Sequence, residues 1–327
     1  MFDFDLTEFC DLGETDKDRV RSYINSSNEL YNVLELQKLA AKVFGLVAPL
    51  ANQDILFSSE KDFRKLGTSD RDATAGIHVF RTYFAHAIHD AIRLNLGYKS
   101  SVGINFDQSG IVVLRDYFPT PLVDCIIKEM APIARSVNKQ RENIISNMPM
   151  TNVALREATF GKNGRSPLRN DVFDCLGLST THSEARSCYT LNTFVQKLHN
   201  RKGDGDIQKV LHSDTFFPCI KFWYFPKEVT LDDGPFTYAV KTNRLSYGRF
   251  KYIYEQSILC AQGKVEEYRT ESHMEGSLRI TDEELAEMGY TPKPYPVPAN
   301  TLVIGNVWGF HRRSEVNNEG FRDSIHG

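Results

Sequence analysis

In the first third of the chain apolar residues return every three or four positions. Between Asn28 and Ala51 they are Leu30, Val33, Leu36, Leu39, Ala40, Val43, Phe44 and Val47, which is one stripe of an amphipathic helix. A second stripe of Phe80, Phe84, Ile88 and Ile92 predicts a helix from about Gly76 to Leu96. From Ser109 the period changes. Gly110 to Phe118 is β-branched and aromatic, is followed by Pro119 and Pro121, and leads into a helical stretch ending near Val137. Short strand candidates then follow at 188–198, 209–216, 219–226, 235–240, 301–307 and 321–326, bounded by Gly, Pro, Asn and Asp. That punctuation predicts an all-β sandwich or jelly roll.

Between the last two strands and those before them lies an insertion, residues 244–298. It contains a helix start at Thr281-Asp-Glu-Glu284, where Thr281 and Glu284 can satisfy each other's free amides. It ends in Pro292, Pro294, Pro296 and Pro298, which cannot donate ladder hydrogen bonds and so suit a sheet edge. No internal repeat or low-complexity linker divides the chain. The organisation predicted is a helical layer over residues 1–107 packed on a mainly β core over 108–327. The insertion 244–298 is expected to cover the substrate.

Composition narrows the partners. With 41% hydrophobic and 25% charged residues in 327, the chain can bury a full core without disulfide staples. The net charge of −3 comes with no Lys/Arg block, which argues against nucleic acid and anionic membranes as partners. Cysteines 10, 125, 175, 188, 219 and 260 contain no Cys-x-x-Cys pair, so a Cys-based zinc site is not expected. Met1 to Glu8 is acidic where a signal peptide would be basic and then apolar, and no apolar run reaches membrane-spanning length. A reduced, cytoplasmic protein with a small-molecule substrate is the expectation; oligomeric state is not legible.

Three of the nine histidines open a His-x-acid triplet: His182-Ser-Glu184, His212-Ser-Asp214 and His273-Met-Glu275. Only the second lies in a strand-like stretch, Val210-Leu-His-Ser-Asp-Thr-Phe216, where alternation sends positions 212 and 214 to one face. Two imidazoles and one carboxylate on one face of an octahedral ion leave three positions open, the arrangement of non-haem iron(II) oxygenases. A third ligand must come from elsewhere in the fold. The downstream candidate is His311, just past the strand that ends in Val303-Ile-Gly-Asn-Val307. Beyond it, Arg322 and Ser324 share a face of the closing strand; an arginine fork suits a carboxylate, and a serine hydroxyl can add a third bond.

The ordered run His212-x-Asp214, Lys221-Phe-Trp-Tyr-Phe225, Asp232-Asp-Gly-Pro-Phe236, Ala299-Asn-Thr-Leu-Val-Ile304, Gly309-Phe-His-Arg-Arg313 and Arg322 resembles the phytanoyl-CoA dioxygenase family. The resemblance spans about residues 108–327. It implies a double-stranded β-helix (a cupin-like jelly roll) holding Fe(II) by His212, Asp214 and His311. It also implies 2-oxoglutarate gripped by Arg322, with Trp223 close to that cosubstrate, and O₂ as oxidant. The reaction implied is decarboxylation of 2-oxoglutarate to succinate and CO₂ coupled to hydroxylation, desaturation, epoxidation or ring closure. A non-catalytic metal-binding sensor on the same scaffold is the alternative. The chain departs from the family after Gly-Pro-Phe, where Ala239-Val-Lys-Thr-Asn243 replaces Pro-Gly-Ser-His; this bears on the substrate side of the pocket. With Asp at position 214, no ligand site is vacated for halide.

Other features have plainer readings. His86 and His89 stand three apart on a helix without a matching Glu and are read as packing or surface residues. His182, Glu184, His273 and Glu275 lie in polar, loop-like stretches. Asp204-Gly-Asp206 is read as a turn, since other calcium-loop positions are missing, and Cys219 as a small core filler.

Overall fold

A computed structural model describes residues 82, 86, 100–132, 144–149, 156, 159, 167–178, 193–203, 206–215, 218–262, 264, 277–317 and 319–327. The Asn28–Ala51 helix lies outside the described residues, as does most of the Gly76–Leu96 helix, of which Thr82 and His86 are helical and buried. The described part begins with α1 (Ser101–Ser109), β1 (Ile111–Leu114), α2 (Thr120–Met130), β2 (Ile144–Pro149) and α3 (Pro167–Cys175). It continues with β3 (Phe194–Asn200), β4 (His212–Ser213), β5 (Ile220–Phe225), β6 (Phe236–Tyr238) and α4 (Tyr247–Ala261). It closes with β7 (Leu278–Arg279), α5 (Asp282–Glu287), β8 (Lys293–Tyr295), β9 (Thr301–Asn306), β10 (His311–Arg313) and β11 (Gly320–His326).

The strands form two antiparallel sheets, β1-β9-β5-β11-β3-β2 and β7-β4-β10-β6-β8. From β3 to β6, and again from β8 to β11, successive strands alternate between the sheets. The first of these, β3, pairs along its whole length with the last, β11. This is the strand order of a jelly roll. β1, β2 and β7 extend its edges.

Alternation on β5 explains the layers. Phe222 and Tyr224 are fully buried on the outer face of the larger sheet, in one cluster with Phe106, Phe118, Ile126 and Leu168 from the α1–α3 side. Residues 221, 223 and 225 therefore point between the sheets. There Phe225 and Val303 meet Phe236 and Tyr238 of the smaller sheet, with Trp223 packed alongside. The outer face of the smaller sheet is covered by α4 and α5, where Tyr252 and Leu285 pack on Ala239 and Phe310.

The insertion thus supplies structure to the smaller sheet. The proline-rich segment forms β8 at its edge, and the expected capping box is present, Thr281 Oγ1 accepting from Glu284 N–H and Glu284 from Thr281 N–H. α1 was not foreseen, because Gly103, Asn105 and Gln108 obscure its periodicity. It is defined instead by its ends, with Ser100 Oγ accepting from Gly103 N–H at 2.9 Å and Gly110 at φ 79° closing the last turn.

Candidate metal centre

β4 is only two residues long, yet it sets the site. His212 lies directly opposite His311 across the β4–β10 pair, so both imidazoles leave the same face. His311 lies just past β9, as expected, and is the first residue of β10. The turn 307–310 ends one strand and a three-residue strand begins, too short to show a period. Asp214 follows β4 and is fixed by its own backbone, whose N–H donates to Val307 O at 2.9 Å. Gly309 permits the approach of this turn, since a Cβ there would run into the Tyr238 hydroxyl.

The three side chains converge. Their ligand atoms all lie within 4.8 Å of one another, the metal-capable group found among the described residues. His212 Nε2 is 3.4 Å from Asp214 Oδ1, and His311 Nε2 is 3.6 Å from Asp214 Oδ2. Each ring uses its other nitrogen in the same way. Nδ1–H of His212 donates to Val210 O at 2.7 Å, and that of His311 to Gly309 O at 2.9 Å. A carbonyl can only accept, so both rings carry the proton on Nδ1 and present a bare Nε2. His212 Nε2 is buried without a hydrogen-bond partner, an arrangement that costs free energy unless something fills it. A divalent cation fits this donor set.

Electrostatics keeps the donors in their metal-binding forms. Burial first, then the neighbouring His311, lowers His212 to about 4, so the ring is neutral at pH 7. Burial alone would raise Asp214, but the Lys221 ammonium and the two histidines outweigh it and hold the carboxyl well below its ordinary range.

Comparison with known proteins gives only remote structural likenesses. No family model and no curated protein sequence matches the chain. Among solved structures, HygX from Streptomyces hygroscopicus with nickel, 2-oxoglutarate and hygromycin B bound is 14% identical, with a TM-score of 0.37 over 68% of this chain and 83% of that one. EctD from S. alaskensis with 2-oxoglutarate and 5-hydroxyectoine is 13% identical, with a TM-score of 0.43 over 68% and 73%. The non-heme alpha ketoglutarate dependent epimerase SnoN from nogalamycin biosynthesis is 9% identical, with a TM-score of 0.38 over 71% and 81%. At these scores the likenesses add nothing to the strand order, which by itself defines the jelly roll.

The remaining expected residues sit on the inward face of the larger sheet. Arg322 and Ser324 lie opposite Leu198 and Gln196 of β3, on an interior strand flanked on both sides. Ser324 is buried. Arg322 donates from Nη1 to Gly234 O, while its Nε is buried without a partner. Burial, reinforced by the charge of Arg313, lowers its guanidinium to about 9. Trp223 packs 4.6 Å from the Phe236 ring, which in turn lies 5.5 Å from His311. So Trp223 borders the centre through one intervening ring.

Two further residues, neither expected at the centre from the sequence, adjoin it. Lys221 Nζ is 2.6 Å from Asp214 Oδ2, and His326, opposite Trp223 in the β5–β11 pair, feels the charges of both Lys221 and Arg322. Alternation with Trp223 was the available signal for Lys221. Of the rival features, His89, His182, Glu184, Asp204, His273 and Glu275 lie outside the described residues. His86 is buried with its ring 4.7 Å from Trp308, and the main-chain carbonyl of Cys219 accepts from Val307 N–H at 2.8 Å. Cys125, Cys175, Cys219 and Cys260 carry reduced thiols. No helix among the described residues is long and apolar enough to cross a membrane.

The buried His212 ring and the half-buried His326 ring give a pH dependence with a definite sign. His212 and His326 are each lowered to about 4, both chiefly by burial, against an ordinary value of about 6.5. Between these values the unfolded chain binds more protons, so stability rises with pH. It is complete above about pH 6.5 and falls as pH drops towards 4, with a ceiling of roughly 3 kcal/mol per ring at about 1.4 kcal/mol per pK unit. Urea unfolding of metal-free protein at several pH values should show this slope, and His326→Gln should remove about half of it. A flat profile would mean that the folded rings protonate freely.

Proposed function

We propose that this chain is an Fe(II)- and 2-oxoglutarate-dependent oxygenase of the phytanoyl-CoA dioxygenase type, hydroxylating an unactivated C–H bond of a small metabolite in a biosynthetic step. The observation that carries the reading is the pair of bare Nε2 atoms and one carboxylate converging on a common point, each ring locked by a carbonyl behind it. Such a set occupies one face of an octahedral ion and leaves the other face for ligands that exchange.

In this reading His212, Asp214 and His311 hold the metal. Arg322 and Ser324 grip the distal carboxylate of 2-oxoglutarate, and the unpaired Nε of Arg322 supplies the hydrogen bond still unused. Trp223 and Phe236 form an apolar wall between them. Bound Fe(II) with 2-oxoglutarate and O₂ supplies the oxidising power, releasing succinate and CO₂ and leaving one oxygen atom on the substrate. The protein's share is geometry: rigid strands aim the donors, and the apolar wall excludes water from the cosubstrate. Substrate selection is assigned to the insertion 244–298 and to residues before 108, since connecting segments on a rigid β scaffold usually carry it.

Adding Fe(II) and 2-oxoglutarate to metal-free protein without oxygen should give the visible charge-transfer band of a chelated keto acid. The band should vanish in His212→Ala. Iron binding without a band would remove 2-oxoglutarate from the reading.

A further inference from the structure

Lys221 has no task in the proposed reaction, yet its ammonium makes a short charge-assisted contact with the one carboxylate of the centre. The two oxygens of Asp214 meet different surroundings. Oδ1 faces His212 Nε2 at 3.4 Å, while Oδ2 accepts from Lys221 Nζ at 2.6 Å and lies 3.6 Å from His311 Nε2. The contact is built by the sheet. Lys221 shares the inward face of β5 with Trp223 and stands opposite Gly305, so no cross-strand side chain blocks its reach to Asp214. Asp214 is fixed in turn by its backbone bond to Val307 O.

A carboxylate can grip a cation with one oxygen or with both. With two imidazoles, one oxygen completes three of six positions, whereas two oxygens complete four. A chelating keto acid takes two more. Only the first arrangement then leaves a position open.

We propose that Lys221 is a positioning residue that holds Asp214 to coordination through a single oxygen. The inference rests on the metal reading above and adds to it the reason why the centre keeps three positions rather than two. A hydrogen bond from an ammonium occupies Oδ2 more firmly than water would, and leaves Oδ1 as the metal-facing atom.

The test uses full-length protein, Mn(II) as the metal probe and the variants Lys221→Met and Lys221→Gln. Mn(II) binding is followed by electron paramagnetic resonance, 2-oxoglutarate binding by calorimetry, and carboxylate coordination by the infrared difference spectrum on adding metal. Wild type should show the wide separation of carboxylate stretches of one-oxygen coordination. Lys221→Met should narrow it, while 2-oxoglutarate binds about tenfold more weakly, the lower end of what outer partners of a metal ligand contribute. Lys221→Gln loses the charge and one atom of reach, and should behave like Met. An unchanged spectrum in Lys221→Met overturns the proposal, as does Lys221→Gln retaining the wild-type spectrum, which would make the ammonium dispensable. Failure of wild type to bind Mn(II) overturns the metal reading itself.

Discussion

Replacing Asp214 with alanine is expected to abolish iron-dependent consumption of 2-oxoglutarate while the protein stays folded. The first half follows from the donor set: two imidazoles alone cannot supply the anionic ligand that a hard divalent ion takes in this geometry. The second half follows from what the side chain leaves behind. Its chief partner, Lys221, has a side chain 43% exposed, so the released ammonium turns to water and no buried charge is stranded. The histidine rings stay in place because their Nδ1 atoms are tied to Val210 and Gly309 carbonyls. The bond from residue 214 to Val307 O is made by the backbone and survives the substitution. Succinate release and a thermal melt on the same preparation check both halves. Full turnover with a normal melt would remove Asp214, and with it the facial triad, from the mechanism.

The largest effect on stability is expected at a residue far from this chemistry. Asn300 adopts φ 60° at the turn into β9 and staples that turn to the chain 182 residues earlier. Its Oδ1 accepts from Phe118 N–H at 2.9 Å and from the Tyr224 hydroxyl at 3.1 Å, while its Nδ2 donates to Phe118 O at 2.7 Å. Its own carbonyl accepts from Tyr117 N–H at 3.0 Å. Asn300→Ala removes the side-chain bonds together, leaving Phe118 backbone groups and the Tyr224 hydroxyl short of partners. Each buried polar group so stranded costs about 1–3 kcal/mol. The left-handed backbone adds about 1 kcal/mol for alanine. Because Asn300 is half-buried and water can replace part of the loss, about 3 kcal/mol is expected, or roughly 4 °C in Tm for a chain of this length. Asn300→Gly should recover only the backbone share, and Asn300→Asp only the acceptor share. Denaturant melts that place all three variants within 0.5 kcal/mol of wild type, about the ordinary scatter of surface changes, would show that the staple is dispensable.

Both predictions bear on how the molecule could be read beforehand. That Arg322 and Ser324 share one face of a strand was legible because a strand's period of two is local backbone geometry, whereas Asp214 lies past the two-residue β4 and meets His212 through its backbone bond to Val307 O. The same rule carried Lys221 onto the face of Trp223, although its contact with Asp214 was not visible. The capping box at Thr281 and Glu284 and the edge strand at the prolines were legible for the same reason: each depends on a few adjacent residues.

What the chain alone determined, then, is the inventory and its facing: which residues are donors, which strands are short, and which side of each strand is apolar. The tertiary structure decided the rest. It set His311 opposite His212 in one cross-strand pair between β4 and β10, brought Val307 to Asp214, and made β11 an interior strand that leaves Arg322 half-buried. Local periodicity is written by nearest neighbours, whereas a pairing between residues 99 apart, 212 and 311, is selected by the packing of two whole sheets. No window of sequence contains that choice.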